Sequence, residues 1–159
     1  MIRKLTLVVA LACLSLLMAG DFRGVEAQVQ DSYLLDALPS PPIAFVAIEP
    51  CRLADTRAAA GFPDPFGPPA LVAETPRVFP VAGYCGIPNT ALAVAVNMTA
   101  VAPGGNGFLS AWPGGDPVPA QLTARVNYGP GQVIANATVE ALGAMGDLTI
   151  YSKAATDLV

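Results

Sequence analysis

From Ala91 to Ala102 the chain runs without glycine, proline or charge, and its polarity alternates. Leu92, Val94, Val96 and Met98 fall on one side of an extended strand. Ala93, Ala95, Asn97, Thr99 and Val101 fall on the other side, smaller and partly polar. This is the pattern of a central strand with one face on a dense core and the other under a thin layer. A buried helix is the rival reading. Pro88 before the run, Pro103-Gly104-Gly105 after it and its β-branched residues favour a strand.

Similar but shorter runs flank it. Ile43 to Ile48 predicts a first strand, closed by Glu49-Pro50. Residues 58–76 read as a long loop carrying Pro63, Pro65, Pro68, Pro69 and Pro76; a loop of that length is either functional or held down. Arg77 to Val81 predicts a short strand, and Pro80 puts it at a sheet edge or end. Gly107–Trp112, Arg125–Tyr128, Val133–Leu142 and Leu148–Tyr151 predict further strands, the last pairing with the strand from Val133. They are separated by Pro103-Gly104-Gly105-Asn106, Pro113-Gly114-Gly115-Asp116, Gly129-Pro130-Gly131 and Gly143 to Asp147. Corners at this spacing predict antiparallel hairpins, so the expected fold is all-β, an antiparallel sandwich or barrel-like domain of short strands.

The first residues have a different character. Met1-Ile2-Arg3-Lys4 is basic, Leu5 to Gly20 is apolar or small, and Val25-Glu26-Ala27 offers a peptidase site. The apolar run is shorter than the roughly 20 residues that span a bilayer. Residues 1–27 are therefore expected to be a signal peptide, 28–42 an arm or linker, and 43–159 one β domain, secreted or at the cell surface and free of the membrane after cleavage. All 16 prolines lie beyond residue 27, placed between apolar runs and not in one tract, which is the distribution of turns and not of disorder.

Charge and cysteine use narrow the function classes. The formal net charge is −4, and loss of Arg3, Lys4 and Arg23 with Asp21 and Glu26 makes it one unit more negative. That balance argues against a nucleic-acid partner, which needs clustered Lys and Arg. Cys51 and Cys85 remain after cleavage. An even pair in an exported chain reads as a disulfide, the alternative being two separate thiols. No metal site or cofactor is expected: the sequence has no histidine, and two cysteines are too few ligands for zinc. The same lack removes any histidine-based triad, and Glu49, Asp64, Glu74, Asp116, Glu140 and Asp147 show no spacing that selects a catalytic pair, so no enzyme is expected.

Candidate binding chemistry is limited to three sets. Asp55, Thr56 and Arg57 form the most site-like cluster: the carboxylate suits a cation or sugar hydroxyls with the guanidinium beside it, unless the two satisfy each other. Asn97, Asn127 and Asn136 lie in or beside strands and either converge as a polar row or satisfy sheet irregularities. Trp112, Tyr84, Tyr128 and Tyr151 are the candidate stacking faces for a polysaccharide, unless they pack in the core.

The order of several short motifs resembles a module of secreted and surface proteins in bacteria such as actinobacteria and acidobacteria. The motifs are Pro50-Cys51-Arg52…Asp55-Thr56-Arg57, Cys85-Gly86-Ile87-Pro88, Asn97…Thr99…Val101, Gly107-Phe108-Leu109 and Trp112-Pro113…Gly115. Asn127, Gly131-Gln132…Ala135-Asn136, Leu142-Gly143…Gly146 and Thr156-Asp157 complete the series over residues 43–159. Ala124 stands where the family often has Ser. The resemblance implies a noncatalytic extracellular β module with no known ligand. It also implies a closing apolar strand that begins near Leu158-Val159 and is absent from this sequence. Either the sequence is a fragment, or the closing strand comes from elsewhere and the open sheet edge there serves self-association or is filled by the apolar stretch Tyr33–Leu38. Two functions follow as expectations: a structural, adhesion or surface-assembly module, and alternatively a carbohydrate- or cell-wall-binding module.

Overall fold

The structure is a computed structural model that describes residues 44–159; the expected signal peptide, the arm and Ile43 lie outside the described residues. Strand β1 is Arg77–Pro80, β2 Ala93–Val101, β3 Gly107–Pro113, β4 Val126–Tyr128, β5 Val133–Ala141, β6 Asp147–Ser152 and β7 Asp157–Leu158, and a single 3₁₀ turn occupies Ala58–Ala60. They form two antiparallel sheets, one ordered β1-β6-β3-β4 and the other β5-β2-β7. The all-β sandwich-like expectation holds, and among the described residues no barrel closes.

The alternation read in β2 is the one observed. Val94 and Val96 are half-buried, Met98 and Ala100 are buried, and Ala93, Ala95 and Asn97 are exposed. Met98, Ala100 and Leu158 meet Phe79, Leu109, Ala111, Val126, Leu148 and Ile150 of the other sheet in one apolar cluster. β3 and β6 lie between neighbours in their sheet and are buried on both faces, Leu148 and Ile150 inward and Thr149 and Tyr151 outward. β1 takes the edge, where Pro80 removes no ladder donor that a central strand would need.

Two details explain motif residues. Tyr128 is buried, its hydroxyl 2.6 Å from Ser152 Oγ, accepting from the Ala154 N–H at 3.0 Å and donating to the Ala154 carbonyl at 3.2 Å. A Cβ at Gly107 would sit 2.9 Å from that ring, so Gly107 is glycine to let the tyrosine through. Likewise a Cβ at Gly143 would overlap the Gly114 carbonyl and the Asp147 carboxylate, which is tucked between these two glycines.

Three expectations are corrected. Ala44–Ile48 forms no strand: it is exposed throughout, Phe45 at 82% and Val46 at 69%. An apolar run alone makes no ladder without a partner edge, and Pro50 ends the run before it can turn back. β6 pairs with β1 and β3, not with the strand from Val133, which pairs with β2 along its full length. Buried on both faces, β6 needs a central place, and β5, exposed over most of its residues, stays at an edge. Finally, Pro103–Asn106, Gly129–Gln132 and Leu142–Gly146 do not close hairpins; each carries the chain from one sheet to the other. Glycine and proline mark where the chain turns, but not which sheet it enters.

Candidate functional site

Cys51 and Cys85 form a disulfide with their Cα atoms 5.9 Å apart. It fixes the start of an extended segment, Cys51 to Thr56, whose other end is held by the Asp55 cluster. Asp55 is fully buried. Its Oδ1 accepts from Arg57 Nε at 2.8 Å and the Arg57 N–H at 3.3 Å, and its Oδ2 accepts from Arg57 Nη2 at 2.6 Å and Arg52 Nη1 at 2.8 Å. The bidentate Arg57 guanidinium holds the carboxyl down at about 2, against the opposing effect of burial. A carboxylate offers about four lone-pair sites, and all are taken, so Asp55 has none left for a cation or sugar. Thr56 ties the segment to the end of the chain: its N–H donates to the Leu158 carbonyl at 2.9 Å, its hydroxyl donates to Asp157 Oδ1 at 2.9 Å and accepts from the Leu158 N–H at 2.8 Å. In this arrangement Asp55, Thr56 and Arg57 form a clamp.

The other two sets do not come together. Asn97 faces outward on β2, Asn136 stands opposite Met98 and donates to the Arg125 carbonyl at 2.7 Å, and Asn127 belongs to the other sheet. Trp112, Tyr128 and Tyr151 are buried, and Tyr84 is half exposed with its ring set edge-on to Phe66. They form no shared outer platform because both faces of β3 and β6 are covered, and the rings serve that packing.

β1, β4 and β5 are edge strands, and a further open edge lies along β2, inside the second sheet. β7 pairs with β2 only at Ala100 and Val101, and Val159 exchanges two hydrogen bonds with Thr99, at 2.7 and 3.0 Å. From Ala93 to Met98, β2 has β5 on one side and, among the described residues, no strand on the other. Alternate residues of an antiparallel strand point their backbone groups to opposite sides. Thr99 points to the β7 side, so Asn97, Ala95 and Ala93 direct their N–H and C=O groups to the open side. Along this edge Ala91, Val94 and Val96 are only half-buried against the core. The outer face of the same β2–β5 pair is uncharged: Ala93, Ala95, Asn97, Thr99 and Val101 stand across from Ala141, Val139, Ala137, Ala135 and Val133.

A second feature lies where β4 stops short. β4 pairs with β3 only over Gly107–Leu109, so Ser110–Pro113 have no β4 partner. A cavity of about 330 Å³ opens there toward β5 and is walled by the loop before β4. In it the guanidinium of Arg125 pairs through Nε and Nη2 with the buried carboxylate of Glu140, which also accepts from the Thr138 hydroxyl at 2.8 Å. Hydrogen bonding to Glu140 raises the Arg125 pKa further. No sequence signal joins the pair: Glu140 is one of six carboxylates with no selecting spacing, and Arg125 lies fifteen residues away in a different element. Among the described residues no group of three His, Cys, Asp or Glu side chains gathers as a metal site. Compared with protein-family models, curated proteins and solved structures, the chain matches none.

Proposed function

We propose that this chain is a noncatalytic extracellular assembly module whose copies join by strand exchange. The observation that carries the reading is a complementary pair of unpaired elements in one chain: the open edge of β2 and the exposed apolar segment Ala44–Ile48. An unpaired edge beside half-buried apolar residues is a template for another strand. β7 sets the direction and register. A strand that continues its ladder runs antiparallel to β2 and meets Met98 first and Ala93 last. That slot is six residues long, about 20 Å. The five residues Ala44-Phe45-Val46-Ala47-Ile48 fill all but one of its positions and suit its chemistry: one face of the segment joins Val94 and Val96 over the core, and the other joins Ala93 and Ala95 on the uncharged outer face. Given from one copy to the next, such a contact is head-to-tail and builds chains unless its rotation closes a ring. The bacterial surface module that the motifs resemble fits the same role.

The test is a complementation experiment. Ala95→Pro removes an N–H on the open side and leaves the bonds to β5 intact, a substitution edge strands tolerate. Val46→Asp puts a charge in the donor. Each variant alone should be monomeric by size-exclusion with multi-angle scattering. Their mixture should give a discrete dimer, since one retains the acceptor and the other the donor. A wild-type protein that stays monomeric at high concentration, or a mixture that does not associate, overturns the proposal.

A further inference from the structure

We infer that the cavity beside the Arg125–Glu140 pair is a binding site for a single neutral sugar ring. The fold makes the cavity: β4 is three residues long, β5 is nine, and the end of β5 passes the uncovered end of β3 with a loop as the third wall. Its volume of about 330 Å³ lies at the lower end for small-molecule sites, which favours one ring over a chain. Its lining is mainly apolar with a few convergent polar groups, the usual composition of such a site. Ser110, Gln121 and Thr123 supply hydroxyl and amide groups, Trp112 an aromatic wall, and Arg125 and Glu140 the charges.

Charge decides the ligand class. The guanidinium and carboxylate cancel, so an anion meets Glu140 and a cation meets Arg125, whereas an uncharged hydroxyl compound suits both. The pair also keeps unused capacity. Glu140 Oε2 accepts a single bond, from Arg125 at 3.1 Å, and Arg125 Nη1 makes no hydrogen bond among the described residues. Adjacent hydroxyls donate and accept at once, which matches one free acceptor next to one free donor. Ser110 lines the cavity and is buried at 2% exposure. This route to a sugar differs from stacking on surface aromatics, which the burial of Trp112, Tyr128 and Tyr151 removes.

The experiment is an NMR titration of the purified protein with neutral hexoses, N-acetylhexosamines and their disaccharides, with uronic acids and acetamide as contrasts. Saturable millimolar shifts at the Trp112 indole N–H and Arg125 Nε–H with at least one neutral sugar are expected. Ser110→Ala and Thr123→Val leave the ion pair and fold intact, and each should weaken that sugar severalfold. Glu140→Gln should weaken it about tenfold if the variant folds. No saturable shift with any neutral sugar overturns the inference. So does tighter binding of uronic acids or acetamide, or binding that Ser110→Ala and Thr123→Val leave unchanged. Strand exchange is read by a different assay, so either result stands without the other.

Discussion

Replacing Arg77 by alanine should loosen the proline-rich loop and cost the domain about 2–4 kcal/mol. The loop from Gly61 to Pro76 carries five prolines, which lack N–H groups, so its carbonyls find few donors within the loop. Arg77 supplies them from the start of β1. Its Nη1 donates to the Pro69 carbonyl at 2.5 Å, and its Nη2 donates to those of Pro65 and Gly67, each at 2.8 Å. The guanidinium also lies 4.9 Å from the centre of the Phe79 ring. Hydrogen bonds from a charged donor contribute about 1.5–3 kcal/mol each when sheltered. Two of these three are partly buried and one is exposed, which sets the total toward the lower sum; the ring contact adds about 0.5 kcal/mol. Urea unfolding followed by Trp112 fluorescence gives the stability, and limited proteolysis between residues 61 and 76 reports the loop. Arg77→Lys is the control, since a compact ammonium does not span three carbonyls as the fork does and should recover only part of the loss. The rival account is that Phe66 and Leu71, both buried, hold the loop alone. If Arg77→Ala costs less than about 0.5 kcal/mol and leaves the cleavage pattern unchanged, that rival is right and the reasoning fails.

Two further measurements bear on the clamp at the end of the chain. The Asp55 carboxyl is lowered in the fold from 3.8 to about 2, so its stabilising effect is full above 3.8 and is lost as the pH falls toward 2; Asp55→Asn should be less stable near neutrality and show a flatter acid limb over that window, read from urea midpoints. An equally steep limb in Asp55→Asn would refute it. Cys51→Ser opens a bridge of sequence separation 34 and should cost about 3–4 kcal/mol, measured against wild type in the same unfolding assay; an unchanged midpoint would show that the bridge does not constrain the unfolded chain.

What the sequence made legible was local, and what it hid was pairing. β2 could be read because its period of two is long and uninterrupted, and the structure buries Met98 and Ala100 as that period requires. Pro80 pointed to an edge and β1 lies at one. The same logic failed for Ala44–Ile48, where the apolar run is as strong but, among the described residues, no edge receives it; a strand is a property of two segments, and one segment's composition cannot show the other. It failed again at the glycine corners, since the decision to cross between sheets rests on which strands must be buried on both faces, a fact of the whole fold. The candidate sites divide in the same way. Asp55, Thr56 and Arg57 are contiguous, so their cluster was visible at once, but that the four acceptor sites of Asp55 are filled depends on Arg52 and on the turn geometry. Arg125 and Glu140 are joined only because a short β4 leaves room for Arg125 to reach β5, and no spacing along the chain announces that. The mismatch at Ala44–Ile48 is the more informative of these failures. A segment with a strand's composition and, among the described residues, no partner, beside a nine-residue strand with an edge to spare, runs against the consistency expected of a sequence that folds alone. The strand exchange proposed above would remove the conflict, because it would give the unpaired segment and the unpaired edge to each other.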